Sequence, residues 1–228
     1  MRNIIKLFLN MLPVAATCLM GTMSTMSHAQ VAPPALRNLA DMSGFKALQA
    51  TLGAPLRPAA PGTLEAPVNL AYSRGAGGAR AAMTEATNLL TKTGVSAEVV
   101  GRLTYSGYFS NAAKRYGASL GLNTQSNLAD ALGAYLAICR GAIKNTETTR
   151  TQADGLQLIA KARLLQRLQG KAVDIQAAAE ALNLQTGLAA LVTEQRKANN
   201  TNNTELSIYC IEGTRKLGFE VDQINVGK

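Results

Sequence analysis

The prolines divide this chain of 228 residues into two parts with different structural prospects. All seven prolines lie before residue 68, and residues 68–228 contain none. Proline removes a backbone N–H donor and kinks or breaks a helix when it lies inside one. The proline-free part is also rich in Ala, Leu, Gln, Lys and Arg, which have high helix propensity. The sequence therefore predicts an all-α domain over residues 68–228.

Apolar residues recur at helical spacing along this domain. The clearest stripe consists of Leu128, Ala131, Leu132, Tyr135, Leu136, Cys139 and Ile143. Its i, i+3, i+4, i+7 spacing places these side chains on one face of a helix. Comparable stripes, separated by glycines or polar turns, predict six or seven helices joined by short loops. This pattern is typical of a single helical bundle.

Six of the prolines, together with Ala and Gly, fill the region between residues 30 and 67. This composition favours extended or disordered backbone, so we interpret residues 30–67 as a Pro-rich linker that is largely disordered. A short amphipathic helix from Leu36 to Leu52 is an alternative within this region, although Gly44 weakens it. Whether residues 36–52 are helical stays open at the level of sequence.

The first 29 residues have the composition of a secretory signal peptide. Arg2 and Lys6 form a basic start, residues 7–21 are mostly apolar, and residues 27–29 place small side chains at −3 and −1 of a cleavage site before Gln30. We therefore expect an exported protein, periplasmic or secreted. We expect no transmembrane span once the signal peptide has been removed.

Removal of the signal peptide would also remove His28, the single histidine of the chain. Without imidazole, a Ser–His–Asp triad or a histidine-ligated metal site is excluded. We therefore expect no metal, no cofactor and no enzymatic activity. Carboxylates are the remaining acid/base groups, so a carboxylate-dependent glycan hydrolase is an alternative. Its candidate residues are Glu85, Glu98, Glu180, Glu194 and Glu205.

The formal net charge of +9 favours contact with anionic material such as envelope polymers or lipid head groups. The candidate anion-binding residues lie on one predicted helix and its exit: Lys161, Arg163, Arg167 and Lys171. A solvated face, whose long side chains cover apolar neighbours, is the other interpretation of this pattern. Nucleic acid is not an expected partner, because an exported protein rarely meets it.

Asn127 and Asp130 form a candidate polar site at the start of the clearest helix. They lie three residues apart and share a helical face. A ligand contact is one interpretation of the pair. The other is that both residues occupy the first turn, where they satisfy free backbone N–H groups and complement the helix dipole.

Of the three cysteines, Cys18 lies within the predicted signal peptide. Cys139 and Cys210 remain, each on the apolar face of a predicted helix. In an oxidising compartment such a pair predicts a disulfide, with two buried free thiols as the alternative. The two helices would have to cross closely, because the Cα atoms of a disulfide lie within about 7 Å of each other.

Four short motifs carry a resemblance to a known family. They are Leu70-Ala71-Tyr72, Gly121-Leu122, Asn127-Leu128-Ala129-Asp130-Ala131 and Gly218-Phe219. On these motifs the domain resembles a family of exported bacterial all-helical proteins, a domain of unknown function that follows a signal peptide and a Pro-rich linker. The resemblance implies the same organisation and supplies no reaction, ligand or catalytic residue. Family members often carry Trp where this chain has Tyr135.

Together these features favour an exported, non-catalytic protein-interaction module that is associated with the cell envelope. Its expected partner is an envelope protein of unknown identity. The first alternative is a binder of anionic envelope polymer or lipid head groups through the basic helix, and the second is the glycan hydrolase. Binding to a polymer should weaken with salt, because it depends on exposed charges, whereas binding through an apolar surface should persist.

Overall fold

A computed structural model of the chain describes residues 32–54, 68–169, 171–201, 203–224 and 226. These residues are predominantly helical and form no β-strand, since the strand-like pairing among them is an isolated antiparallel bridge between Ala71 and Asn127. The prediction of an all-α fold is therefore confirmed. Within the described residues, no helix is long and apolar enough to cross a membrane.

Nine helices are present in the described part of the chain. In chain order they are α1 (Ala32–Leu39), α2 (Ser43–Leu52), α3 (Ala76–Thr91), α4 (Ala97–Tyr105), α5 (Tyr108–Ser119), α6 (Leu128–Lys144), α7 (Arg150–Leu168), α8 (Ile175–Asn199) and α9 (Thr204–Lys216). Seven of these helices, α3 to α9, lie within the proline-free region, for which the sequence predicts six or seven helices.

Helix α8 lies at the centre of the bundle. Residues 178–190 are all buried, and α8 packs against α1, α2, α3, α5 and α6. Because its neighbours lie on several sides, α8 shows no single apolar stripe, and its buried residues include polar ones such as Glu180 and Asn183. Helix α6 is enclosed in a similar way, because residues 131–139 are buried between α7, α8 and α9.

Local side-chain contacts set the ends of these central helices. The side chains of Asn127, Thr149 and Asp174 accept hydrogen bonds from backbone N–H groups in the first turns of α6, α7 and α8. Asn145 and Asn200 end α6 and α8 in the left-handed conformation, with φ of 51° and 52°. Asn is one of the few residues that adopts this conformation readily, so both helices end at residues suited to it.

The structure differs from the prediction of a largely disordered linker over residues 32–54. Helices α1 and α2 form there, and α2 packs on α7 and α8 while α1 packs on α3, α8 and α9. Their apolar side chains are fully buried: Leu36, Leu39, Phe45, Leu48 and Leu52. The compact unit therefore begins at Ala32. Residues 30–31 and 55–67 of the predicted linker, and the predicted signal peptide, lie outside the described residues.

The physical reason for this difference is tertiary packing. Pro33 and Pro34 lie in the first turn of α1, where backbone N–H groups have no partner within the helix. Gly44 allows close contact, because a methyl group there would overlap the backbone carbonyl of Ala177 in α8. Burial of the apolar stripe against α8 outweighs the low helix propensity of these three residues.

Candidate functional site

Contacts within the protein occupy the predicted polar pair at the start of α6. The Asn127 side chain accepts hydrogen bonds from the backbone N–H groups of Ala129, at 2.8 Å, and Asp130, at 3.4 Å. The Asp130 carboxylate accepts one from the backbone N–H of Asn123 and one from the side-chain amide of Gln157, each at 2.9 Å. Asn127 thus has the geometry of the capping interpretation, whereas the Asp130 side chain ties α6 to the loop before it and to α7.

The arginines of the predicted basic face contact the C-terminal end of α2. Arg163 donates a hydrogen bond to the carbonyl of Leu52 at 3.2 Å, and Arg167 donates one to the carbonyl of Ala54. The guanidinium of Arg163 also lies 5.0 Å from the ring centroid of Phe219. Burial, followed by the charge of Arg167, lowers the pKa of Arg163. Two cations at the negative end of a helix dipole stabilise that helix and hold it in place.

The two lysines of the predicted face lie apart from these contacts. Lys161 and Lys171 are both exposed. The structure therefore divides the four residues into two arginines that stabilise the fold and two lysines that face solvent.

An ion pair that no sequence pattern indicated connects the segment before α3 with α8. Arg74 Nε lies 2.5 Å from Glu180 Oε1, and Arg74 Nη2 lies 2.9 Å from Glu180 Oε2. The guanidinium thus contacts both carboxylate oxygens, the strongest arrangement for such a pair. The Glu180 side chain is 2% exposed and that of Arg74 is 33% exposed.

Uncharged polar groups surround this ion pair. The Tyr72 hydroxyl donates a hydrogen bond to the carbonyl of Thr124 at 3.0 Å, and the Asn183 amide donates one to the same carbonyl at 2.8 Å. Burial, followed by the charge of Glu180, raises the pKa of Tyr72 to about 12. Glu180 is one of the carboxylates that the sequence suggested for hydrolysis, and here its oxygens hold Arg74 in place.

Cys139 and Cys210 face each other between α6 and α9. Their Cα atoms are 4.9 Å apart, their sulfur atoms are at disulfide distance, and both side chains are fully buried. Beside them, Tyr135 donates a hydrogen bond to the Tyr209 hydroxyl at 3.4 Å, and Tyr209 donates one to the side-chain carbonyl of Gln185. Burial raises the pKa of both tyrosine hydroxyls. This polar chain links α6, α9 and α8 through the core.

An open groove of about 690 Å³ lies at one end of the bundle. It forms where the C-terminal ends of α5, α6 and α8 meet the loops that follow α6 and α8. The buried apolar residues that line it, which we call the floor, are Leu120, Ile138, Ala142 and Ala190. The exposed lining residues, which we call the rim, are Ser119, Asn145, Thr146, Glu147, Glu194, Lys197, Asn200 and Thr201.

Most charged side chains of the groove are paired within the protein. Lys197 forms an ion pair with Glu147, and its hydrogen bond and charge lower the pKa of Glu147. Arg196 is buried and lies 3.5 Å from the Glu205 carboxylate. Burial, followed by the charge of Glu147, raises the pKa of the Tyr116 hydroxyl. The groove is therefore polar without a strong excess of either charge.

One acceptor in the groove lacks a partner within the described residues. Asn203 occupies the N-cap position of α9, yet its side chain makes no capping hydrogen bond. Its Oδ1 atom is buried, has no hydrogen-bond partner and belongs to a residue that lines the groove. In the same part of the chain, no group of three or more His, Cys, Asp or Glu side chains could hold a metal ion.

Comparison of the chain with family models, with curated proteins and with solved structures gave no match in any of the three. The resemblance to exported all-helical proteins stays a prediction from the short motifs. Two of these motifs lie side by side, since the Leu128 N–H donates to the Leu70 carbonyl and the Tyr72 N–H donates to the Ser126 carbonyl, both at 2.9 Å. Fold and site together define an all-α bundle with an open groove at one end.

Proposed function

We propose that this chain is an exported, non-catalytic binding protein of the cell envelope, and that it recognises a protein partner through the groove at the ends of α5, α6 and α8. The groove is the observation that supports this proposal. Ligand sites are usually concave, mostly apolar and lined by a few polar groups that orient the ligand. The groove is concave and has a buried apolar floor, and its polar rim is larger than in a typical ligand site. The predicted signal peptide supports export.

Contact with anionic polymer or lipid head groups through α7 has less support. Arg163 and Arg167 donate to carbonyl groups at the end of α2, and Arg163 also lies over an aromatic ring. Lys161 and Lys171 are left to meet an anionic surface. Two exposed lysines supply only a weak and salt-sensitive attraction.

Carboxylate-dependent hydrolysis also has less support. The reaction needs a carboxylic acid with a raised pKa beside a second carboxylate. Glu180 is held in the buried ion pair. Glu194 and Glu147 both line the groove, but Lys197 lowers the pKa of Glu147, which is the opposite of what a general acid requires.

Site-specific photo-crosslinking in the native envelope tests the proposed function. A photoreactive residue at Thr146, on the rim, should give a discrete protein adduct that persists at high salt. The same residue at Thr151, an exposed threonine of α7 outside the groove, is the matched control and should give none. Adducts from both positions, or from neither, would contradict the proposal. Salt-sensitive binding to lipid vesicles that is lost when Lys161 and Lys171 are substituted would support the basic-helix alternative instead.

A further inference from the structure

We infer that the groove binds a short, extended, uncharged segment of the partner polypeptide, whose backbone pairs with asparagine amides and whose small apolar side chain enters the floor. This inference rests on the proposed binding function and adds the chemistry of the partner. Three observations carry it: the amides around the groove, the pairing of its charges and the character of its floor.

The amide groups match the hydrogen-bonding groups of a peptide backbone. An Asn side chain offers one carbonyl acceptor and one NH₂ donor, the same two functions that a peptide unit presents. Asn145, Asn200 and Asn203 line the groove from the ends of α6 and α8 and the start of α9. We call these three residues the groove asparagines. Three amides around one groove can bind successive peptide units of an extended segment.

Asn203 gives the most specific indication of a missing partner. An Asn at an N-cap position normally accepts a hydrogen bond from the second or third N–H group of its helix. Here Oδ1 is buried and has no partner among the described residues, although such a group is costly to leave unpaired, and the residue Asn203 lines the groove. Rotation of the Asn203 side chain toward the groove would bring this acceptor within reach of a peptide N–H group of a bound segment.

The charges of the groove favour an uncharged segment. Lys197 is paired with Glu147, and Arg196 with Glu205, so binding a charged side chain would compete with ion pairs that already exist. Glu194 adds one exposed carboxylate at the rim. A neutral segment leaves these pairs intact and loses no hydration of its own charges on binding.

The floor accommodates a small aliphatic side chain. Its residues are aliphatic, with two alanines that leave space beside Leu120 and Ile138. The aromatic lining residue, Tyr116, is largely buried, so it offers little open ring face on which a sugar could stack. A peptide with Ala or Val at one position can pack that side chain on the floor, while its backbone forms hydrogen bonds with the groove asparagines.

The probe for this inference is a library of random seven-residue peptides displayed on phage. The library is selected against the chain from Gln30 onward and counter-selected against the Thr146→Trp variant, which covers the rim. We expect enriched peptides to lack Lys, Arg, Asp and Glu and to share a small aliphatic position. We also expect their affinity to change little between low and high salt, because no unpaired charges meet.

The Asn203 acceptor gives the decisive comparison. Asn203→Ala should weaken binding of an enriched peptide about tenfold, the effect of one buried hydrogen bond. Asn203→Asp keeps the acceptor oxygen and should retain most of the affinity. Asn199→Ala, at an exposed asparagine outside the groove, should bind as the unaltered chain does. Unchanged melting temperatures would show that these variants remain folded.

Enrichment of charged peptides, the absence of any enrichment, or equal affinities of Asn203→Ala and Asn199→Ala would overturn the inference. These failures are distinguishable from failure of the proposed function. If Thr146 still crosslinks a protein in the envelope, the binding function stands and the partner has another chemistry. If neither experiment gives a partner, both proposals fall.

Discussion

Arg74 and Glu180 form an ion pair whose members differ in exposure, and this difference predicts unequal effects of removing each one. Arg74→Met would leave a carboxylate that is 2% exposed without its counter-charge. We expect the free energy of unfolding to fall by about 3 kcal/mol. Glu180→Gln leaves Arg74, which is 33% exposed, in reach of water, so we expect a loss of about 1 kcal/mol.

Urea denaturation of both variants measures this difference. Arg102→Met is the matched control, because Arg102 pairs with Glu98 on the surface of α4, where both side chains are more than half exposed. An exposed pair contributes little to stability. Equal losses for Arg74→Met and Arg102→Met would contradict a structural role for the buried pair.

Tyr72, beside the same ion pair, predicts a loss of stability at alkaline pH. Its pKa is about 12 in the folded chain and close to 10 when unfolded. Between these values the unfolded chain releases the phenol proton while the folded chain keeps it. Rising pH therefore favours unfolding across this interval, and the contribution of Tyr72 is fully present only below pH 10.

The measurement is the free energy of unfolding at a series of pH values between 9 and 12, for the unaltered chain and for Tyr72→Phe. We expect the unaltered chain to lose stability more steeply, because the variant lacks the proton concerned. A second measurement is the phenolate absorbance of the two folded proteins as the pH is raised. The difference between the unaltered chain and Tyr72→Phe should develop near pH 12. Parallel stability curves would show that Tyr72 is not enclosed as described.

Among the helices, two glycines should respond in opposite ways to substitution by alanine. One lies where α5 crosses α8, and the other lies inside α4. A methyl group on Gly187 would overlap the carbonyl oxygen of Phe109, a backbone atom that moves only with its helix. We expect Gly187→Ala to lower the free energy of unfolding by about 2 kcal/mol. Gly101, inside α4, has nothing within 4 Å of the same position, so Gly101→Ala should raise stability by about 0.5 kcal/mol or more.

Thermal denaturation of these two variants separates packing from helix propensity. Propensity alone predicts that both substitutions stabilise their helices. A higher melting temperature for Gly187→Ala would therefore show that α5 and α8 do not approach as closely as the structure describes.

The helices of the proline-free region could be predicted because their signals are local. The stripe from Leu128 to Ile143 reports the buried face of α6, and the capping interpretation of Asn127 uses only the residues that follow it. Helices α1 and α2 could not be assigned in the same way. Their composition is that of a linker, and the surface that buries Leu36 and Leu48 belongs to α8, far away in sequence.

The groove could not be predicted, since residues between 116 and 203 build it from three helix ends and two loops that no motif connects. The ion pair of Arg74 and Glu180 spans 106 positions and gave no sequence signal either. The basic helix did give a signal, but charge alone does not show whether Arg163 faces solvent or a carbonyl group. Long-range packing decides these features, so they required the structure.

At the scale of the whole molecule, the cysteine pair joins α6 to α9 across the part of the chain that contains α7 and α8. Cys139 and Cys210 are separated by 71 positions. A disulfide that closes a loop of this length restricts the unfolded chain and stabilises the fold by about 4 kcal/mol in the chain-entropy model. We therefore expect the double variant Cys139→Ser with Cys210→Ser to lose stability of this order in urea denaturation.

Thiol titration tests the bond itself. The chain from Gln30 onward, produced in an oxidising compartment and denatured without reductant, should show no free thiol, and the same sample after reduction should show two. Because both side chains are fully buried, reductant without denaturant should act only as fast as the protein unfolds. A variant that destabilises the bundle, such as Gly187→Ala, should accelerate reduction, whereas Gly101→Ala should not. Two free thiols in the unreduced sample would mean that packing alone holds α6 against α9.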